Sequence, residues 1–174
     1  MSDNKVKRSM KTNVEGRTLT MERIFDAPRD LVFKVFSDGE RLASWWGPKG
    51  WETENRSFEF KPEGEWHYCM KCIDKNQGEW YGQESWGKAI YQEIVESEKI
   101  VYKDIFSDAE GNKVEGMPEM LISLTFLDEG DKTKLITKSE FTSVDALKQV
   151  MDMGVVEGFT SQNEKLDDYL NQLQ

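Results

Sequence analysis

The feature that most constrains this chain is a change of hydrophobic period. From Trp51 to Thr142 apolar residues recur at every second position in short runs, whereas from about Val144 to the C-terminus they recur every three to four residues. Period 2 marks half-buried strands, and a period near 3.6 marks an amphipathic helix. The strand-like runs cover 51–60, 65–73, 80–95, 100–106, 120–127 and 134–141. They are separated by short stretches rich in Pro, Gly, Asp, Asn and Glu, at Pro62–Gly64, Asp74–Gly78, Glu96–Glu98, Asp108–Asn112 and Asp128–Asp131. Connections this short join antiparallel neighbours, because a parallel pair needs a crossover of a dozen residues or more. In the closing segment Leu147, Met151, Val155, Phe159, Leu166 and Leu170 share one face. Roughly thirty helical residues would span about 45 Å, enough to cross a sheet. Thr142 or Ser143 supplies the N-cap, with Asp145 in the first turn.

The N-terminal part completes the order of elements. Residues 1–15 read as a flexible polar tail, and 16–27 read as a strand in which Leu19, Met21, Arg23 and Phe25 alternate with Thr18, Thr20, Glu22 and Ile24. Pro28 ends it and starts a short helix to about Ser37, since its fixed φ suits the first helical position. Asp38-Gly39 breaks that helix, and a second short helical segment, 40–46, ends at Gly47-Pro48. The expected fold is therefore α+β, with residues 16–174 as one domain. A curved antiparallel sheet of six to seven strands is closed by one long C-terminal helix, with two short helices between the first strands.

Charge and composition narrow the function. Lys and Arg number 23 against 33 Asp and Glu, a formal net charge of −10. A duplex binder needs a basic surface to displace counterions, so nucleic acid is not expected as a partner. No apolar run reaches the roughly 18–20 residues that a membrane helix needs, and Met1–Thr12 lacks the apolar core of a signal peptide. The expected location is cytoplasmic, which agrees with only two cysteines, Cys69 and Cys72, and no disulfide framework. The aromatic content stands out, with six Trp, nine Phe and five Tyr that must fill a core or line a cavity.

Five segments carry a family resemblance. Arg23–Phe36 with Leu42-Ala-Ser-Trp45-Trp46-Gly-Pro48 resembles the N-terminal signature of the SRPBCC (START-like, birch-allergen-like) superfamily, in the subgroup named after activators of the heat-shock protein 90 ATPase. Pro62-Glu63-Gly64-Glu65-Trp66 is similar to that subgroup's Pro-Gly-Gly-x-Trp turn, with Glu63 standing where the first glycine belongs. The run 87–94 with Ile100-Val101-Tyr102 resembles its central hairpin, and 153–158 with Leu166 and Tyr169-Leu170 resembles its closing helix. The resemblance spans about 16–173 and implies a helix-grip fold with a cavity between sheet and helix. The chaperone activators also carry a separate N-terminal domain with its own motif, which has no counterpart here.

Candidate site residues follow from strand parity. Trp66, Tyr68, Met70 and Cys72 share one face of their run, and the aromatic face is expected to point inward. Trp80, Glu84 and Trp86 share a parity on the next run, Met120 and Ile122 lie on a third, and Met151, Val155 and Phe159 supply the helix side. Trp45 and Trp46 are adjacent, so one of them should reach the cavity, and Trp46 is taken as the candidate. Glu84 is the sharpest of these, because a carboxyl set between two tryptophans would be desolvated and its pKa raised. The competing reading puts Glu84 outward, displaced by a bulge.

His67, Cys69 and Cys72 do not make a metal site: Cys72 points away from the other two, and no second Cys/His pair exists in the chain. With a single His, nucleophilic triads have little support, and no catalytic residue, metal or cofactor is assigned. The leading expectation is binding of a small apolar or aromatic ligand in the cavity, by a monomer or homodimer. A co-chaperone-like regulator of a heat-shock protein 90 homologue and a cavity enzyme using Glu84 are the alternatives.

Overall fold

The structure, a computed structural model, describes residues 10–174. Its strands are β1 (Lys11–Glu15), β2 (Thr18–Phe25), β3 (Trp51–Phe58), β4 (Glu65–Cys72), β5 (Glu84–Val95), β6 (Lys99–Phe106), β7 (Met120–Glu129) and β8 (Lys132–Phe141). Its helices are α1 (Arg29–Ser37), α2 (Gly39–Trp45), α3 (Val144–Asp152) and α4 (Val155–Gln172). All eight strands form one antiparallel sheet in the order β1-β2-β8-β7-β6-β5-β4-β3. From β3 to β8 each strand pairs with its sequence neighbour, and β2 closes the order by pairing with β8. This is the curved α+β sheet of a helix-grip fold, with eight strands rather than six to seven.

The alternation read from the sequence sets the inner face. Leu19, Met21 and Phe25 on β2, Met120, Ile122, Leu124 and Phe126 on β7, and Leu135 and Phe141 on β8 are buried. α1 covers one end of that face with Phe33 and Phe36, each 5.4 Å edge-on from the Phe126 ring. α2 brings in Trp45, whose Nε1 donates to the Val35 carbonyl at 3.0 Å. That bond lets a large indole be fully buried without leaving its N–H unpaired.

Three local expectations change. Residues 11–15, read as the end of a tail, form the edge strand β1 against β2; the rest of that tail, 1–9, lies outside the described residues. The run expected from Trp80 starts as a strand only at Glu84, because Lys75–Trp80 is a short 3-10 segment capped by the Asp74 side chain. The C-terminal helix is interrupted at Gly154, where φ of +87° makes a left-handed joint between α3 and α4. Helical periodicity continues through such a joint, so the interruption is hard to see in the apolar pattern alone. Ser143 caps α3 by accepting from the Ala146 amide at 3.0 Å.

The turn before β4 resolves the departure from the family pattern. Glu63 takes φ of +69°, the left-handed conformation in which a glycine carries no penalty. At Gly64 a Cβ would lie 2.2 Å from the Glu59 carbonyl oxygen, so no side chain fits there. Glu63→Gly is expected to raise stability by about 0.5–1 kcal/mol and Gly64→Ala to lower it by about 2 kcal/mol or more. Urea midpoints of the two variants check both signs.

Candidate functional site

The site is assembled where α4 grips the loop between α2 and β3. Gln162 accepts from the Gly47 amide at 2.9 Å, and Ser161 accepts from the Lys49 amide at 2.8 Å. Lys165 donates to the Trp46 and Trp51 carbonyls at 3.3 and 3.0 Å. Burial lowers the Lys165 pKa, against the opposing pull of Glu52. Thr53 adds a bond to the Trp46 carbonyl at 2.8 Å from β3. Backbone groups of a loop that sheet pairing leaves open are thus satisfied by one stretch of helix, which fixes Trp46 and Pro48 in space.

Behind this clamp lies a cavity of about 170 Å³. Its walls are apolar and largely aromatic: Trp46 from the loop, Tyr68 and Met70 from β4, Phe106 from β6, Met120 from β7 and Phe159 from α4. Val155, Gly158 and Gln162 complete the helix side. At Gly158 an added Cβ would meet nothing within 4 Å, so the missing side chain leaves open space on the cavity side of α4. Of the two glycines four residues apart at this point of the chain, Gly154 makes the helix joint and Gly158 makes room.

The acid of the cavity is Asp104 on β6. Desolvation raises its carboxyl to about 7, while a hydrogen bond from Tyr68 pulls it back down. Tyr68 itself is buried and its pKa is raised, chiefly by burial and then by Asp104, although a hydrogen bond from Trp46 lowers it. Trp46, Tyr68 and Asp104 therefore form a chain from the gripped loop to the acid. The Tyr68 ring is held in turn by stacking on Trp66, with centroids 4.2 Å apart, and by lying across Gly87, where a Cβ would come within 2.5 Å of the phenol oxygen. Trp66 is fixed by donating from Nε1 to Asn55 Oδ1 at 2.9 Å.

The structure brings together Trp46, Tyr68, Met70, Met120, Val155 and Phe159 from the residues singled out in the sequence. Trp46 is the member of the tryptophan pair that reaches the cavity, while Trp45 packs 4.8 Å from Phe36 in the core. Trp66 and Ile122 are buried beside the cavity rather than on its wall, and Met151 packs against the core from α3.

The parity expected for Trp80, Glu84 and Trp86 is overturned. Trp80 is 57% exposed on the 3-10 segment, and Glu84 is exposed at the start of β5. Gly87 stands opposite Tyr68, which fixes the inward positions of β5 as Ser85, Gly87, Ala89 and Tyr91. Trp86 is among the residues around the cavity, but its indole lies 5.3 Å from the His67 ring and 5.1 Å from the Arg56 guanidinium, on the outer face. The acid expected at Glu84 is supplied instead by Asp104. Its sequence signal is the inward parity of Ile100, Tyr102, Asp104 and Phe106 on β6, an acid within an otherwise apolar row. Among the described residues no three His, Cys, Asp or Glu side chains converge as a metal site. No helix among them is long and apolar enough to cross a membrane.

Comparison with known proteins agrees with this architecture. A family model described as "Activator of Hsp90 ATPase homolog 1-like protein" matches residues 26–171. A crystal structure of a protein from Mycobacterium smegmatis is 25% identical, with a TM-score of 0.80 over 92% of this chain and 94% of that one. A solution structure from Staphylococcus epidermidis is 27% identical, with a TM-score of 0.79 over 95% and 96%. A solution structure from Arthrobacter aurescens shares the fold, at 24% identity and a TM-score of 0.84 over 94% and 91%. No curated protein matches the chain.

The raised Asp104 carboxyl has a consequence for stability. An acid whose folded pKa lies above its unfolded value holds an extra proton when folded, so its contribution to stability falls as pH rises from about 4 to about 7. Asp104→Asn is expected to flatten that fall and to stabilise the protein at about pH 8 by roughly 1–3 kcal/mol, less than full burial would give because water reaches the cavity. Thermal melts of both proteins between about pH 5 and pH 8 measure it.

Proposed function

The chain belongs to the Activator of Hsp90 ATPase homolog 1-like family, and from that premise we propose that it binds a small apolar or aromatic molecule in the cavity between sheet and α4. The observation that carries the reading is the cavity itself: about 170 Å³, walled by Trp46, Tyr68, Met70, Met120 and Phe159, with one acid, Asp104, in its lining. A cavity of about 150 Å³ with apolar walls takes a molecule of benzene size, which sets the scale of the ligand at one ring. Wide, flat aromatic walls supply contact area, and a few polar groups, Asp104 the charged one among them, orient what enters.

A regulator of a heat-shock protein 90 homologue is the second reading. The family's description favours it, and an unchanged ATPase rate of the purified chaperone on adding this protein would remove it. The enzyme reading built on Glu84 is not retained, because that carboxylate is exposed and stands away from the cavity.

Gly158 gives the direct test. Gly158→Leu fills the cavity with a side chain that the structure has space for, and it replaces a poor helix former inside α4. The variant is expected to keep or gain up to about 1 kcal/mol of stability and to lose binding of one-ring aromatic probes, read by quenching of tryptophan fluorescence. Equal binding by both proteins would place the ligand elsewhere and overturn the reading.

A further inference from the structure

The cavity holds an acid but no base. Asp104 lines it, and no Lys, Arg or His is among the lining residues. The titratable groups that face the carboxyl are Tyr68 on β4, Tyr91 on β5 and Tyr102 on β6 itself. All three have raised pKa values, burial being the first cause in each case, so they are neutral and offer only hydroxyl groups. Opposite Asp104 on β7 stands Met120, which carries no charge, and the α4 wall of Val155, Gly158, Phe159 and Gln162 carries none. Lys103, its chain neighbour, points to the other side of the sheet, where it pairs with Glu119 at 3.6 Å.

An ionised carboxylate in such a place is costly until a cation reaches it, and the aromatic walls add a second attraction for positive charge. The ring faces of Trp, Tyr and Phe draw an ammonium placed within about 6 Å, and a buried charge is retained when it is paired and hydrogen-bonded. The net charge of −10 also favours the approach of cations over anions.

We propose that the ligand is a small organic amine of one-ring size, whose ammonium meets Asp104 and whose apolar body lies against Trp46, Tyr68 and Phe159. This rests on the reading of the cavity as a ligand site and names the chemistry of its occupant. The ammonium donates to the carboxylate, a charge-assisted bond that is stronger than a neutral one. Amine binding therefore favours the ionised acid and weakens as pH falls through the carboxyl's range. A benzoate-like anion, in contrast, would meet a second negative charge, and a neutral alcohol would gain only an ordinary hydrogen bond.

The test is calorimetric titration of the full chain with benzylamine and with benzyl alcohol, at about pH 8 and about pH 6, on the wild type and Asp104→Asn. Benzylamine is expected to bind about tenfold tighter than benzyl alcohol at the higher pH, and that margin should shrink about tenfold at the lower one. Asp104→Asn should keep benzyl alcohol and lose the margin; if that variant does not fold, the wild-type pH series decides. Benzyl alcohol bound as tightly as benzylamine at about pH 8, or a benzylamine affinity that does not change with pH, would overturn the amine and leave the cavity reading standing. Binding of neither probe would overturn both.

Discussion

The rest of the structure depends on the polar grip of α4 on the loop between α2 and β3. Ser161, Gln162 and Lys165 bind the main chain from Trp46 to Trp51, so a single helical turn carries the connection that the sheet leaves unpaired. Apolar packing alone would draw α4 down on the sheet and close the space beneath it, since the hydrophobic effect has no directional preference. Directional bonds at this edge instead hold the helix at a fixed height above the aromatic row of β4. The cavity is what remains between them, and the lack of a side chain at Gly158 keeps it open.

From that grip the electrostatics follow. Trp46, fixed by the loop, hydrogen-bonds to Tyr68, and Tyr68 hydrogen-bonds to Asp104. The same rings partly desolvate the carboxyl, and that burial raises it further than Tyr68 lowers it. The result is one acid with a raised pKa in an aromatic space whose lining holds no base. Outside the cavity the charged residues are arranged differently: Lys49 with Glu164 at 2.8 Å is a solvated pair that contributes little to stability.

Much of this was legible in the residues. Period 2 from Trp51 onward located the meander; strand parity picked out Tyr68, Met70 and Met120 and the helical period picked out Val155 and Phe159, while the cavity they surround was implied by the family resemblance. The failures share a cause. Parity on β5 depends on where the strand begins, and counting from Trp80 carried Glu84 and Trp86 to the wrong face, because the 3-10 segment at 75–80 does not belong to the ladder. Gly87, which must lie under the Tyr68 ring, was the marker that would have set it. Asp104 was passed over because one acid in a strand reads as an outward residue unless its parity is checked against Tyr102. The joint at Gly154 and the bonds from Ser161, Gln162 and Lys165 to the loop are tertiary facts, which no local pattern carries.

The measurement that bears most directly on this account is the titration of the Asp104 side-chain carboxyl followed by carbon-13 NMR in the free protein. A gripped helix over an aromatic cavity that desolvates the carboxyl predicts a midpoint close to the value of about 7 set by burial, and a fall in that midpoint once an amine occupies the space. A midpoint near the ordinary carboxylate value of about 4 would mean that water solvates the group freely, and would contradict both the burial of the carboxyl and the role given to it.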